Sequence, residues 1–189
     1  MQRPETLERA ARARPDRTIA LVGLMGVGKT TVGRRVARAL QLPFIDADAE
    51  IETAAGRSVA DIFAERGEDD FRSGERRVIA RLLDGPPVVL ATGGGAFLNP
   101  DTRALIKERA LSIWLKADLD VLVKRVNRRD TRPLLRGRDP REVLERLMQE
   151  RYPVYAEADL VVETSDSPHD AAVAAVLSAL EQRATLLRA

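Results

Sequence analysis

Cysteine is absent from the 189-residue chain, which excludes a disulfide framework and a thiolate metal site. No apolar run approaches the roughly 18 residues of a membrane span, and none resembles a signal peptide. The expected location is therefore the cytoplasm, with no membrane partner. Neither sign of charge is in excess: 31 Lys and Arg against 29 Asp and Glu give +2, so no nucleic-acid partner is implied. Histidine and tryptophan occur once each. His169, just after Ser167-Pro168 at a helix start, reads as a surface residue, and Trp114 reads as part of a strand core. What the chain has is 44% hydrophobic residues, enough for one compact α/β domain.

Residues 1–17 are polar and arginine-rich, with Pro4 and Pro15, and read as a flexible N-terminal extension. A single domain follows over residues 18–184, then a short tail over 185–189. Within the domain, IALVGL (19–24), LPFID (42–46), PVVLATG (87–93), LSIWLKA (111–117) and DLVVET (159–164) each read as a strand buried on both faces. Val32, Val36, Ala39 and Leu40 recur at helical spacing, and Ser58 with Asp61 forms a capping box. Asn99-Pro100, Asp139-Pro140 and Ser167-Pro168 mark three further helix starts. Strands alternating with helices predict a mostly parallel sheet covered on both faces. In such sheets ligands sit beyond the carboxyl ends of the strands.

Gly23, Gly28, Lys29 and Thr30 satisfy G-x-x-x-x-G-K-[ST] between a strand and a helix. Such a loop turns backbone N–H groups inward around phosphate oxygens and adds the positive end of the following helix. Gly26, Val27, Gly28 and Thr31 are candidate ATP contacts; Lys29 would bridge the β- and γ-phosphates, and the Thr30 hydroxyl would ligate Mg²⁺. The only asparagines, Asn99 and Asn127, are followed by Pro and Arg, so the Asn-Lys-x-Asp of a GTPase is missing. Large ATPases tend to end a strand like PVVLATG with an acid, whereas this one runs into Gly93-Gly94-Gly95. A small-molecule kinase remains.

On the acceptor side, Asp46 and Asp48 share one direction at a strand end. Asp46 would sit near Mg²⁺ and Asp48 would take a hydrogen bond from an acceptor hydroxyl, as a general base; alternatively, Asp46 caps the next helix and Asp48 is solvated. Three consecutive glycines suggest a close backbone approach to a ligand. Arg72 in GEDDFRSGE and Arg151 in ERYPVY suit an anionic acceptor, because a guanidinium matches a carboxylate with two parallel bonds. The arginine-rich RRDTRPLLRGRDP (128–140) reads as a mobile loop able to close over ATP, with Arg132 brought to the transferring phosphoryl group.

Together, GLMGVGKTTVGRRVA, FIDAD, GRSVADIF, GEDDFRSGE, the GGG turn, RPLL and RYPVY resemble the shikimate kinase family over about residues 18–180. The resemblance implies a three-layer P-loop kinase fold with a five-stranded parallel sheet in the order 2-3-1-4-5. It implies a substrate-binding subdomain at about 46–76 and a mobile lid at about 127–140. The implied partners are ATP, ADP and shikimate, with Mg²⁺ as cofactor; a monomer is the expected acting unit. By the same resemblance Thr30 and Asp46 serve the metal. Asp48, Arg72, Arg151 and Gly93 to Gly95 bind shikimate; Glu75 orients Arg72, Arg132 meets the phosphates and Arg125 stacks on adenine. A gluconate kinase of the same fold is the nearest alternative, and the arginine pair around GGG speaks against it. A non-catalytic nucleotide-binding module is the other, and Lys29 and Asp48 speak against that.

Overall fold

The computed structural model describes residues 16–127, 139–166 and 169–186. Most of the segment read as a lid, Arg132 included, lies outside them, as do Ser167-Pro168 and most of the N-terminal extension.

Five strands, β1 (Thr18–Val22), β2 (Phe44–Asp46), β3 (Val89–Ala91), β4 (Ala110–Ala117) and β5 (Leu160–Thr164), form one sheet in the order β2-β3-β1-β4-β5. Every pairing is parallel, as the helical crossovers between successive strands require. The register sets Leu21 opposite Ala91 and Ala91 opposite Asp46. The carboxyl ends of β1, β2 and β3 therefore finish in one row, and the loops that leave them converge.

The central strands are buried except at Lys116 of β4, with Ile19, Leu21, Leu90, Ile113 and Leu115 at 0% exposure, each such side chain contributing about 1.5–3 kcal/mol. Trp114 joins this core, edge-on to Tyr152 with ring centroids 4.9 Å apart. The two edge strands depart from the expected burial. All three residues of β2 are half-buried. In β5, Val161 is 48% exposed and Glu163 is exposed, while Val162 and Thr164 are buried. An edge strand has a neighbour on one side only, and β5 carries the alternation of a sheet covered on one face.

Helix α1 (Lys29–Leu40) buries Val32, Val36 and Leu40 as the spacing predicts, with Ala37 in place of Ala39. Helix α2 (Ala47–Ala55) follows β2 directly. Helix α3 (Val59–Leu83) starts where Ser58 Oγ accepts the Asp61 N–H at 3.1 Å. It breaks at Gly67, whose φ of 80° and ψ of 177° lie outside the helical region in a conformation almost confined to glycine. Ile51, Ile62 and Phe71, with Val59, Phe63 and Val78 around them, form a small apolar cluster apart from the main core. It joins α2 to both halves of α3.

Helices α4 (Pro100–Arg109) and α6 (Pro140–Tyr155) begin at the caps read from Asn99 and Asp139, which accept the N–H groups of Thr102 and Arg141 at 3.0 and 2.9 Å. Between them, α5 (Leu119–Val126) follows β4. Helix α7 (His169–Leu186) packs on α1 and β5 and runs two residues past 184. No helix among the described residues is long and apolar enough to cross a membrane.

Candidate active site

A cleft of about 610 Å³ opens at the carboxyl edge of the sheet, within the range of roughly 300–1,000 Å³ usual for small-molecule sites. Its floor is the loop after β1. Gly28 forms the N-cap of α1 without any side-chain hydrogen bond, so backbone N–H groups of the first turn are the donors available to an anion there. Gly26, Lys29, Thr30 and Thr31 line the same floor. Lys29 Nζ donates to the carbonyls of Gly23 (2.7 Å) and Leu24 (3.0 Å), which holds the ammonium against the loop. The Val27 side chain is buried and its N–H donates to Leu24 at 3.4 Å, so any contact it makes to a ligand is through backbone.

The end of β2 supplies the acids. Asp46 caps α2, its Oδ1 accepting the Asp48 N–H at 3.2 Å, while Oδ2 accepts the Thr30 hydroxyl at 2.9 Å. The capping reading of Asp46 is thus met, and the same carboxylate turns its other oxygen to Thr30. A hydroxyl and a carboxylate oxygen at this spacing are hard donors, and few protein oxygens beside phosphate and water is how Mg²⁺ is usually held. Asp48 reaches solvent through the cleft although protein crowds its other sides. Burial is the main cause that raises its carboxyl above the ordinary range, with the Asp46 charge adding and Lys29 opposing; water in the cleft tempers the rise.

The glycine turn after β3 is where the acceptor residues meet. A side chain on Gly93 would lie 2.6 Å from Glu75 Oε1 and 2.9 Å from Asp48 Oδ1, and one on Gly95 would lie on top of the Arg72 guanidinium. Arg151 Nη1 approaches the Gly94 carbonyl at 3.4 Å. Arg72 and Arg151, 79 positions apart in sequence, converge on one turn. Arg72 is oriented as the family resemblance implies: Nη1 donates to Glu75 Oε2 at 2.6 Å, and the guanidinium lies 5.2 and 5.9 Å from the Phe71 and Phe63 ring centres.

Glu75 is 2% exposed, and its Oε1 has no hydrogen-bond partner among the described residues. Burial pushes its carboxyl above the usual range, Arg72 pulls it back and Asp48 adds to the rise. The fold therefore favours the protonated form: that contribution to stability is complete below the unfolded pKa and lost as pH rises through the higher folded value. Glu75→Gln, which keeps an acceptor for Arg72, should accordingly melt above wild type at neutral pH by about 2–4 °C for about 1 kcal/mol, with the gain shrinking toward pH 4. Thermal melts across that pH range check this; a gain independent of pH would remove ionisation as the cause.

Arg125 stands at the other end of the cleft, on the wall between the phosphate loop and β5. Its guanidinium donates to the Val27 carbonyl at 2.9 Å and the Ser165 carbonyl at 2.5 Å. Several residues lie in the cleft that the motifs do not single out. Behind the lining, the buried Tyr155 hydroxyl donates to the Gly94 carbonyl, and burial pushes its pKa up to about 12. Thr92 Oγ1 donates to the Leu21 carbonyl at 2.9 Å and so ties β3 to β1 just before the turn. Val59 and Phe63 supply an apolar wall, signalled only by the helix that carries them. His169, read as a surface residue, is half-buried and lines the cleft beside Gly28.

Comparison with known proteins agrees with this geometry. The family model described as shikimate kinase matches residues 25–181. A shikimate kinase of Caulobacter vibrioides is 66% identical over 166 residues, 88% of this chain and 83% of that protein. One from Paramagnetospirillum magneticum is 60% identical over 164 residues, 87% and 84% of the two chains. A solved structure, shikimate kinase from Acinetobacter baumannii in complex with shikimate, matches with a TM-score of 0.78 at 34% identity over 94% of each chain. By motif, topology and likeness alike, this chain belongs to the shikimate kinase family.

Proposed function

We propose that the chain transfers the γ-phosphoryl group of ATP to the 3-hydroxyl of shikimate, giving 3-phosphoshikimate and ADP, a step toward chorismate and the aromatic amino acids. The observation that carries the reading is the convergence of Arg72 and Arg151 on the Gly93–Gly95 turn, in one cleft with Lys29 and Asp48. Two guanidiniums suit a carboxylate, and the acid beside them suits a hydroxyl.

In this mechanism Arg72 and Arg151 fix the shikimate carboxylate, Glu75 holds Arg72 in place, and Gly93 to Gly95 let the ring lie against backbone. Asp48 accepts the proton of the attacking hydroxyl as its oxygen bonds to the γ-phosphorus and the bond to the β-phosphate oxygen breaks. Lys29 and the loop amides of Gly26 to Thr31 hold the phosphates in line, since phosphoryl transfer depends mainly on positioning and charge stabilisation. Thr30 and Asp46 would hold Mg²⁺, which supplies neutralisation of phosphate charge. Residues 46–76 act as the substrate-binding subdomain. Arg132, which lies outside the described residues, would meet the phosphates, Arg125 stacks on adenine, and the acting unit is a monomer.

ADP release from MgATP with shikimate, with gluconate and without acceptor tests the reading directly. Release with shikimate alone is expected. Release with gluconate alone would overturn the assignment of Arg72 and Arg151 while keeping the nucleotide site.

A further inference from the structure

The phosphate loop has a second wall that its motif does not contain. Gly28 has no side chain, and the face it leaves bare looks toward His169: a methyl group on Gly28 would stand 3.7 Å from Cε1 and 3.8 Å from Nδ1 of that imidazole. Gly28 is also the residue on which the helix of the phosphate cradle begins. An oxygen resting on the bare face of Gly28 would therefore lie within contact distance of the ring.

We propose that His169 contacts the phosphate chain of the bound nucleotide, donating a ring N–H to a non-bridging oxygen as it passes Gly28. The inference rests on the nucleotide reading of the cleft. The ring is well supported for this task, because His169 opens α7 and α7 packs along α1. Ala172 and Val176 bury one and two turns further on, which fixes the start of α7 against the loop. An ion pair from Arg35 to Asp170 at 2.6 Å lies next to it, but it is exposed and adds little. His169 thus stands on a packed helix and faces the donors of α1. At the opposite end of the cleft, Asp48 and Glu75 crowd Gly93, so the imidazole serves the nucleotide and not the acceptor hydroxyl.

The test compares wild type, His169→Ala and His169→Asn by calorimetric titration with ADP and with pyrophosphate, and measures the Michaelis constant for shikimate. His169→Ala should weaken both ADP and pyrophosphate by roughly 10- to 100-fold, the range of one hydrogen bond to a charged group, and leave the shikimate constant within about 2-fold. His169→Asn, which keeps an N–H near the position of Nδ1, should recover most of the loss. Unchanged ADP affinity in His169→Ala overturns the proposal, as does a loss that asparagine does not recover. A loss for ADP without one for pyrophosphate would move the contact off the phosphates and also overturn it. Failure of wild type to bind ADP would instead overturn the nucleotide reading beneath it.

Discussion

Replacing Asp48 by asparagine should lower kcat by about 10²- to 10⁴-fold, the usual worth of a positioned general base, and leave the Michaelis constant for ATP near its wild-type value. Asparagine keeps the size of the side chain and one acceptor oxygen, so the hydroxyl can still be held; what is lost is a site for its proton. The raised pKa of Asp48 brings its basicity closer to neutrality than a free carboxylate's, which strengthens the base. The same rise sets a pH dependence. Wild-type kcat should fall as pH drops through a value above the ordinary carboxylate range, because protonation removes the acceptor, and this limb should vanish in Asp48→Asn. A kcat within about threefold of wild type would show that the hydroxyl proton leaves by another route.

Arg72→Lys should raise the Michaelis constant for shikimate by about 10- to 100-fold, in keeping with about 1.5–3 kcal/mol for a hydrogen bond to a charged group. The guanidinium already gives one N–H to Glu75 and lies over two phenyl rings. Only a planar fork can keep those contacts and turn its second edge, which the exposed Glu68 carboxylate meets through Nε and Nη2 at 3.4 and 3.3 Å, to a ligand carboxylate. A lysine ammonium has donors for both Glu75 and the ligand but no flat edge, so it meets the carboxylate without two parallel bonds. Gly95→Ala offers an independent check that changes no charge, because its methyl group would fall on the Arg72 guanidinium and should shift the same constant. If the constant for ATP moved in either variant and that for shikimate did not, the acceptor would not sit at this turn.

The phosphate loop and the capped helix starts at Ser58, Asn99 and Asp139 were legible in the sequence, because each is a local arrangement whose chemistry shows in a few adjacent letters. Asp46 and Asp48 were read as alternate positions of one strand, whereas the strand stops at Asp46 and Asp48 lies in the first turn of α2. The order of the strands came with the family resemblance, since no local signal says which strands are neighbours. The meeting of Arg72 with Arg151 is long-range, and no spacing rule could place them at one turn; the structure was needed for that. Tyr155 and His169 were underread for a related reason. A tyrosine in a helix looks apolar until the carbonyl it reaches is known, and a histidine at a helix start looks solvated until the neighbouring loop is folded beside it. The uneven burial of β5 was hidden because Leu160, Val161 and Val162 read as a continuous apolar run, and its place at the edge decides which of them face water.

The double use of Asp46 has a consequence for how the centre came to be built. One oxygen is held by the amide of Asp48 and the other faces Thr30, so the plane of the carboxylate is set by the first turn of α2 itself. Part of its aim is thus set within three consecutive residues, through the Asp48 amide. Such a unit is portable: wherever a strand runs into a helix through Asp-x-Asp beside a phosphate loop, the orientation travels with the peptide, and the surrounding protein is left free to change which molecule it serves.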